Sequence, residues 1–174
     1  MKYFFKKCGL VLVWAFIGFF AYQFLSVSIK VPNTMLTLEP AVLGLSSLFM
    51  GPIGTMGVGF ISHFLYDSLN YSTVWWTWII AESVAGLMLG LVSRRLELLT
   101  RQLSVKQIVQ FNFWQALVNF LAWGLIAPLG DYLIYKSSLS FVFHQGLTIA
   151  IMNTLVIGIV VSLFLYFYHY FFKS

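Results

Sequence analysis

Apolar residues in this chain come in helix-length runs, and the residues that interrupt them are confined to short polar stretches. Six runs stand out, at about 9–27, 35–50, 52–69, 74–93, 107–128 and 142–171. A transmembrane helix needs roughly 20 predominantly apolar residues, so the run at 35–50 is short and the others suffice or nearly so. The pattern predicts an all-α integral membrane protein: one membrane domain, 1–174, of six transmembrane helices.

Local signals set the breaks. Pro32 disfavours helix just before it, and Asn33-Thr34 offers an N-cap pair for the second helix. Glu39-Pro40 falls in that helix's first turns, where proline costs little and an acid is favoured by the helix dipole. Gly51-Pro52 separates helices two and three, and the turn Asn70 to Thr73 separates three from four. Helix five is expected to end at Pro128, and 129–141 (LGDYLIYKSSLSF) to form a polar-aromatic loop. The first run follows Lys2, Lys6 and Lys7, as a signal peptide would. It is longer than a usual signal core and holds Trp14, which favours a retained helix.

Composition agrees. The chain is 60% hydrophobic and 9% charged, against about 25% charged for soluble domains. Its net charge of +5 does not point to nucleic acid, because the basic residues gather at helix ends. Lys2, Lys6, Lys7, Arg94, Arg95, Arg101, Lys106 and Lys173 fall on one side, and only Lys30 and Lys136 on the other. The positive-inside rule then puts both termini in the cytoplasm and makes 28–35, 70–73 and 129–141 outward-facing. Cys8 is the only cysteine, which excludes an intramolecular disulfide or a cysteine metal cluster. No GxxxxGK[ST] stretch is present, so ATP-driven transport would need another subunit to bind the nucleotide. No cofactor or metal site is expected.

Polar residues inside apolar helices carry the candidate chemistry, since lipid offers them no partner. Glu82 sits near the middle of helix four, sharing a face with Trp75, Trp78 and Gly86. Asn112, Gln115, Asn119 and Trp123 share a face of helix five, and Asn153 lies inside helix six. Glu82, Asn119 and Asn153 all fall on the order of 12–17 Å below the outer surface, which predicts an outward-opening pocket. Against this, tryptophans belong routinely to the interfacial belt, and asparagines to interhelical hydrogen bonding. His63 and Asp67, at i and i+4, read first as a polar pair bracing helix three. With Glu82 they form the alternative reading, an intramembrane enzyme, though no nucleophile accompanies them. Asp131 reads as a loop or capping residue at the pocket entrance. Gly146, Ala150, Thr154, Gly158 and Ser162 make a small-residue stripe for close helix packing, as do Gly86 and Gly90.

Two blocks carry a family resemblance: MGPIGTMGVGFISHFLYDSLNYSTVWWTWIIA, and FNFWQALVNFLAWGLIAPLGDYLIYKSSLSFVFHQGLTIAIMNTLVIG, with VPNT at 31–34. They resemble the S components of energy-coupling factor (ECF) vitamin transporters, within the branch labelled as riboflavin-type, over most of residues 31–158. The resemblance implies a non-enzymatic, six-helix subunit of the bacterial cytoplasmic membrane. Such a subunit binds a vitamin-like molecule near the outer face and docks on a membrane T component driven by two cytoplasmic ATPases. It also implies a ligand site built from the outer parts of helices four to six and the loop after helix one. Here that means Asn33, Trp75, Trp78, Glu82, Asn119, Trp123, Asp131, Gln145 and Asn153. The small patch that such proteins present on helix one is imperfect: Ala15, Gly18 and Ala21 lack the i+4 spacing. An acidic, aromatic pocket suits a planar molecule with hydrogen-bond donors or partial positive charge. A flavin, a pyrimidine thiamine precursor and another modified base all qualify, riboflavin first on the strength of the resemblance.

Overall fold

A computed structural model describes residues 2–32 and 34–172. The expected N-cap and ligand residue Asn33 and the basic Lys173 lie outside the described residues.

The architecture is all-helical apart from one small hairpin. Helix α1 (Lys2–Phe24) leads into strands β1 (Ser26–Ser28) and β2 (Met35–Thr37). The strands pair antiparallel, with Val27 opposite Leu36. Helix α2 (Glu39–Asn70), α3 (Trp76–Leu96), α4 (Val105–Leu121), a π-helical turn (Ala122–Ile126), α5 (Ala127–Tyr135) and α6 (Leu139–Phe172) follow. Among the described residues, five helical stretches are long and apolar enough to cross a membrane, α4 to α5 counting as one.

The expected helix start at residue 35 gives way to the hairpin. Thr37 Oγ1 accepts the Glu39 N–H at 3.2 Å and donates to the Ala21 carbonyl, tying strand, helix start and α1 together. The expected break at 51–52 occurs inside α2. Gly51 adopts φ +69°, a left-handed conformation that suits glycine, and Pro52 follows without an N–H to donate. The chain folds back there, because Ser62 Oγ donates to Glu39 Oε1 at 3.2 Å although 23 residues separate them. A straight helix would hold them about 34 Å apart. The first arm, 39–50, is only about 18 Å long, marginal against a hydrocarbon core of roughly 30 Å.

Proline 128 does not end helix five. The turn just before it widens to π geometry, which spares the proline ring the usual clash with the preceding turn, and the helix continues to Tyr135. Residues 129–135, expected as loop, are therefore helical. Helix α4 starts at Val105 on a full capping box: Ser104 Oγ accepts from Gln107 N–H, and Gln107 Oε1 accepts from Ser104 N–H.

Glycines let the helices touch. A Cβ at Gly90 would lie 2.5 Å from Pro52 Cα, and one at Gly86 2.5 Å from the Thr55 carbonyl, so α3 packs backbone to backbone on the second arm of α2. The α6 stripe packs on α4, where a Cβ at Gly158 would meet Asn112 Oδ1 at 2.8 Å. The opposite face of α6 exposes Leu147, Ile151, Leu155, Ile159 and Leu163 at every fourth position, a surface that lipid accommodates and water does not. Leu43, Val58, Ala81, Leu89, Phe111, Val118, Ile157 and Val161 fill the bundle centre.

Candidate functional site

One end of the bundle carries the β-hairpin, the turn after Asn70 and the connection 136–138. A cavity of about 200 Å³ opens there. The other end carries the basic segment after α3, where His169 Nε2, near the end of α6, lies 2.8 Å from the Leu98 carbonyl.

Tryptophan, tyrosine and phenylalanine rings form much of the cavity wall. The ring centroids of Trp78 and Trp123 lie 5.5 Å apart, and Trp75 meets Tyr135 edge-on at 4.9 Å. Tyr22 from α1 stacks on Tyr66 of α2 at 5.0 Å. The π turn matters here because it holds Trp123, whose carbonyl would lie 2.2 Å from a Cβ at Gly146. Only glycine at 146 lets α6 approach the widened turn.

Ionisable groups complete the wall. Asp67 Oδ2 accepts the Trp75 N–H at 3.0 Å, anchoring the start of α3. Asp131, 2% exposed, accepts from Trp78 Nε1 at 2.7 Å and from Thr77 Oγ1. His63 lies between two acids: its Nε2 is 3.5 Å from Asp67 Oδ1, and its Nδ1 is 2.5 Å from Glu82 Oε2. Tyr22 Oη donates to the same Glu82 oxygen at 2.6 Å. Glu39 adjoins Glu82, is fully buried, and leaves Oε2 without a hydrogen-bond partner. In the turn, burial pushes the Tyr71 hydroxyl up to about 12, with Tyr66 and Asp67 adding to the shift. It is a neutral donor at ordinary pH.

Of the residues expected at the site, Trp75, Trp78, Trp123, Asp131, Gln145 and Asn153 line the cavity. Glu82 does not; it lies behind His63 and Tyr22. Asn119 does not either, because its amide turns along its own helix, Nδ2 donating to the Gln115 carbonyl and to Gln115 Oε1. Asp131 is a buried helical residue rather than the expected loop or cap. Tyr22, Met35, Tyr66 and Phe141 line the cavity unanticipated, and His63 and Asp67, read as a brace, line it too. A polar tip on a lone residue of an apolar helix was the only available signal for Tyr22. Among the described residues, no group of three or more His, Cys, Asp or Glu side chains is arranged to hold a metal ion.

The family described as "ECF-type riboflavin transporter, S component" matches residues 9–169. This chain belongs to that family. It is therefore a multi-pass membrane protein and a substrate-binding transporter subunit. Its similar relatives include the "UPF0397 protein" of Leuconostoc citreum, 40% identical over 87% of this chain and 80% of the relative. Those of Lactobacillus gasseri (41% identical, 82% and 77% covered) and Streptococcus pneumoniae (40%, 81% and 78%) are alike. No solved structure matches.

Proposed function

We propose that this S component captures a planar vitamin or vitamin precursor from outside the cell and delivers it inward. A membrane T component and two cytoplasmic ATPase subunits drive the transfer. In this reading α2 contributes two passes, making six in all, and both termini face the cytoplasm. The cavity then opens outward, at the end away from most of the basic residues.

The observation that carries the reading is a cavity combining tryptophans and tyrosines with buried carboxylates and amides at one end of a membrane bundle. Aromatic faces hold a flat ring by stacking, while Asp67, Asp131, Gln145 and Asn153 supply orienting polar groups. Riboflavin is the first compound to test, because the family description names it. Family membership favours transport over catalysis by His63, Asp67 and Glu82.

Native mass spectrometry of the protein purified from cells grown in rich medium tests the proposal. A stoichiometric bound heteroaromatic molecule is the expected result. An empty protein that also binds nothing from a vitamin panel would overturn it.

A further inference from the structure

The charge and size of the cavity narrow its ligand further. Asp67 and Asp131 stand on its wall, and Glu82 lies directly behind. Among the described residues, no lysine or arginine lines it.

The two wall carboxylates differ. Asp67 has His63 beside it at 3.5 Å. Asp131 has only neutral partners, the Trp78 indole N–H and the Thr77 hydroxyl. A carboxylate 2% exposed is costly to bury without a cation, and two neutral hydrogen bonds offset only part of that cost. The same indole that donates to Asp131 presents its ring 5.5 Å from Trp123, so an aromatic box and an unneutralised acid adjoin. Aromatic faces attract cations through their negative quadrupole, most strongly where water is excluded. At about 200 Å³ the cavity also falls below the roughly 300–1,000 Å³ of pockets for drug-sized ligands.

We propose that the cavity selects a compact organic cation, a flat ring bearing positive charge, held against Trp78 and Trp123 and paired with Asp131. The inference rests on the ligand-capture reading and specifies its substrate class. A neutral tricyclic ring with a polyol tail meets neither the charge nor the volume. An anion such as a phosphorylated cofactor would face Asp67 and Asp131 with no lysine or arginine on the wall to pair it.

Matched pairs of probes test it on the full chain in lipid nanodiscs, read by quenching of tryptophan fluorescence and by calorimetry. The pairs are 1-methylnicotinamide against nicotinamide, and thiamine against thiochrome; riboflavin and its phosphate complete the panel. Each cation is expected to bind about tenfold or more tightly than its neutral counterpart. Asp131→Asn should erase that preference, bringing the affinity for each cation down to about that of its neutral counterpart. The probe comparison on the unsubstituted protein stands even if the variant fails to fold. Equal affinity within each pair overturns the inference. Tighter binding of riboflavin overturns the inference and leaves ligand capture intact. No binding of any probe, with no co-purified molecule, overturns both.

Discussion

The interface between α4 and α6 and the cluster around His63 each bury several polar side chains in the same bundle. At the α4–α6 interface the groups are neutral. Asn112 Nδ2 donates to Ser162 Oγ at 2.9 Å, Gln115 Nε2 to the Thr154 carbonyl at 3.1 Å, and Asn119 Nδ2 to Gln115. Around His63 the groups are ionisable, two of them line a cavity, and one Glu39 oxygen has no partner. Burial does not separate the two, since Gln115 and Asn119 are as buried as Glu82 and Asp67. What separates them is whether the chain satisfies its own polar atoms. Neutral amides that pair with each other and with nearby backbone hold helices together. Charged groups that point into a cavity have capacity left for something else.

The largest effect that would break this contrast comes from His63. His63→Ala leaves Glu82 and Asp67 facing each other's field without the imidazole between them, and is expected to cost about 3 kcal/mol or more. Thermal unfolding in detergent measures it. Adding Glu82→Gln to that variant should recover at least about 1 kcal/mol, because the orphaned charge is gone. No recovery would mean that His63 acts by packing, and that the cluster is not electrostatic.

Gly158→Leu comes next. A Cβ there would lie 2.8 Å from Asn112 Oδ1, so α6 must move away from α4, at an expected cost of about 1–3 kcal/mol. The cavity, built at the other end of those helices, should keep its ligand affinity in the folded fraction. Asn112→Ala should cost less, about 0.6–1.7 kcal/mol, the range found for interhelical hydrogen bonds in membranes. A loss of ligand affinity in either variant larger than the loss of folded protein would join the two clusters into one functional unit.

Much of this was legible from the pattern of residues because membrane helices must be long, apolar and internally hydrogen-bonded. The break at Gly51-Pro52 announced itself by residue type, as did the tryptophans at the start of α3. The π turn did not. Pro128 normally stops a helix, and only the close seat against Gly146 shows that the turn before it has widened instead. Asp131 was misplaced for the same reason, since it sits on the helix that Pro128 was expected to prevent. The contact of His63 with Glu82 was equally hidden. It depends on Gly59, where a Cβ would come 3.0 Å from the Glu82 carbonyl, bringing α2 and α3 close enough to bond. Hydrophobic periodicity describes one helix at a time, and these features belong to pairs.

The smallest effect sharpens the boundary of the cavity. Tyr71 is partly exposed in the turn, and burial holds its hydroxyl at about 12, against 10.0 for a free tyrosine. A folded-state value above the unfolded one means that the folded protein binds the extra proton between those limits. Stability from this group is therefore complete below about pH 10 and is lost as pH rises towards 12. Tyr71→Phe should leave stability at pH 7 within about 0.5 kcal/mol and flatten the decline above pH 10. Phenolate absorbance during alkaline titration checks it independently, because one tyrosine with a late transition should disappear from the curve. If the substitution leaves the alkaline curve unchanged, burial does not hold the Tyr71 hydroxyl above its ordinary range, and the desolvated wall of the cavity stops short of its rim.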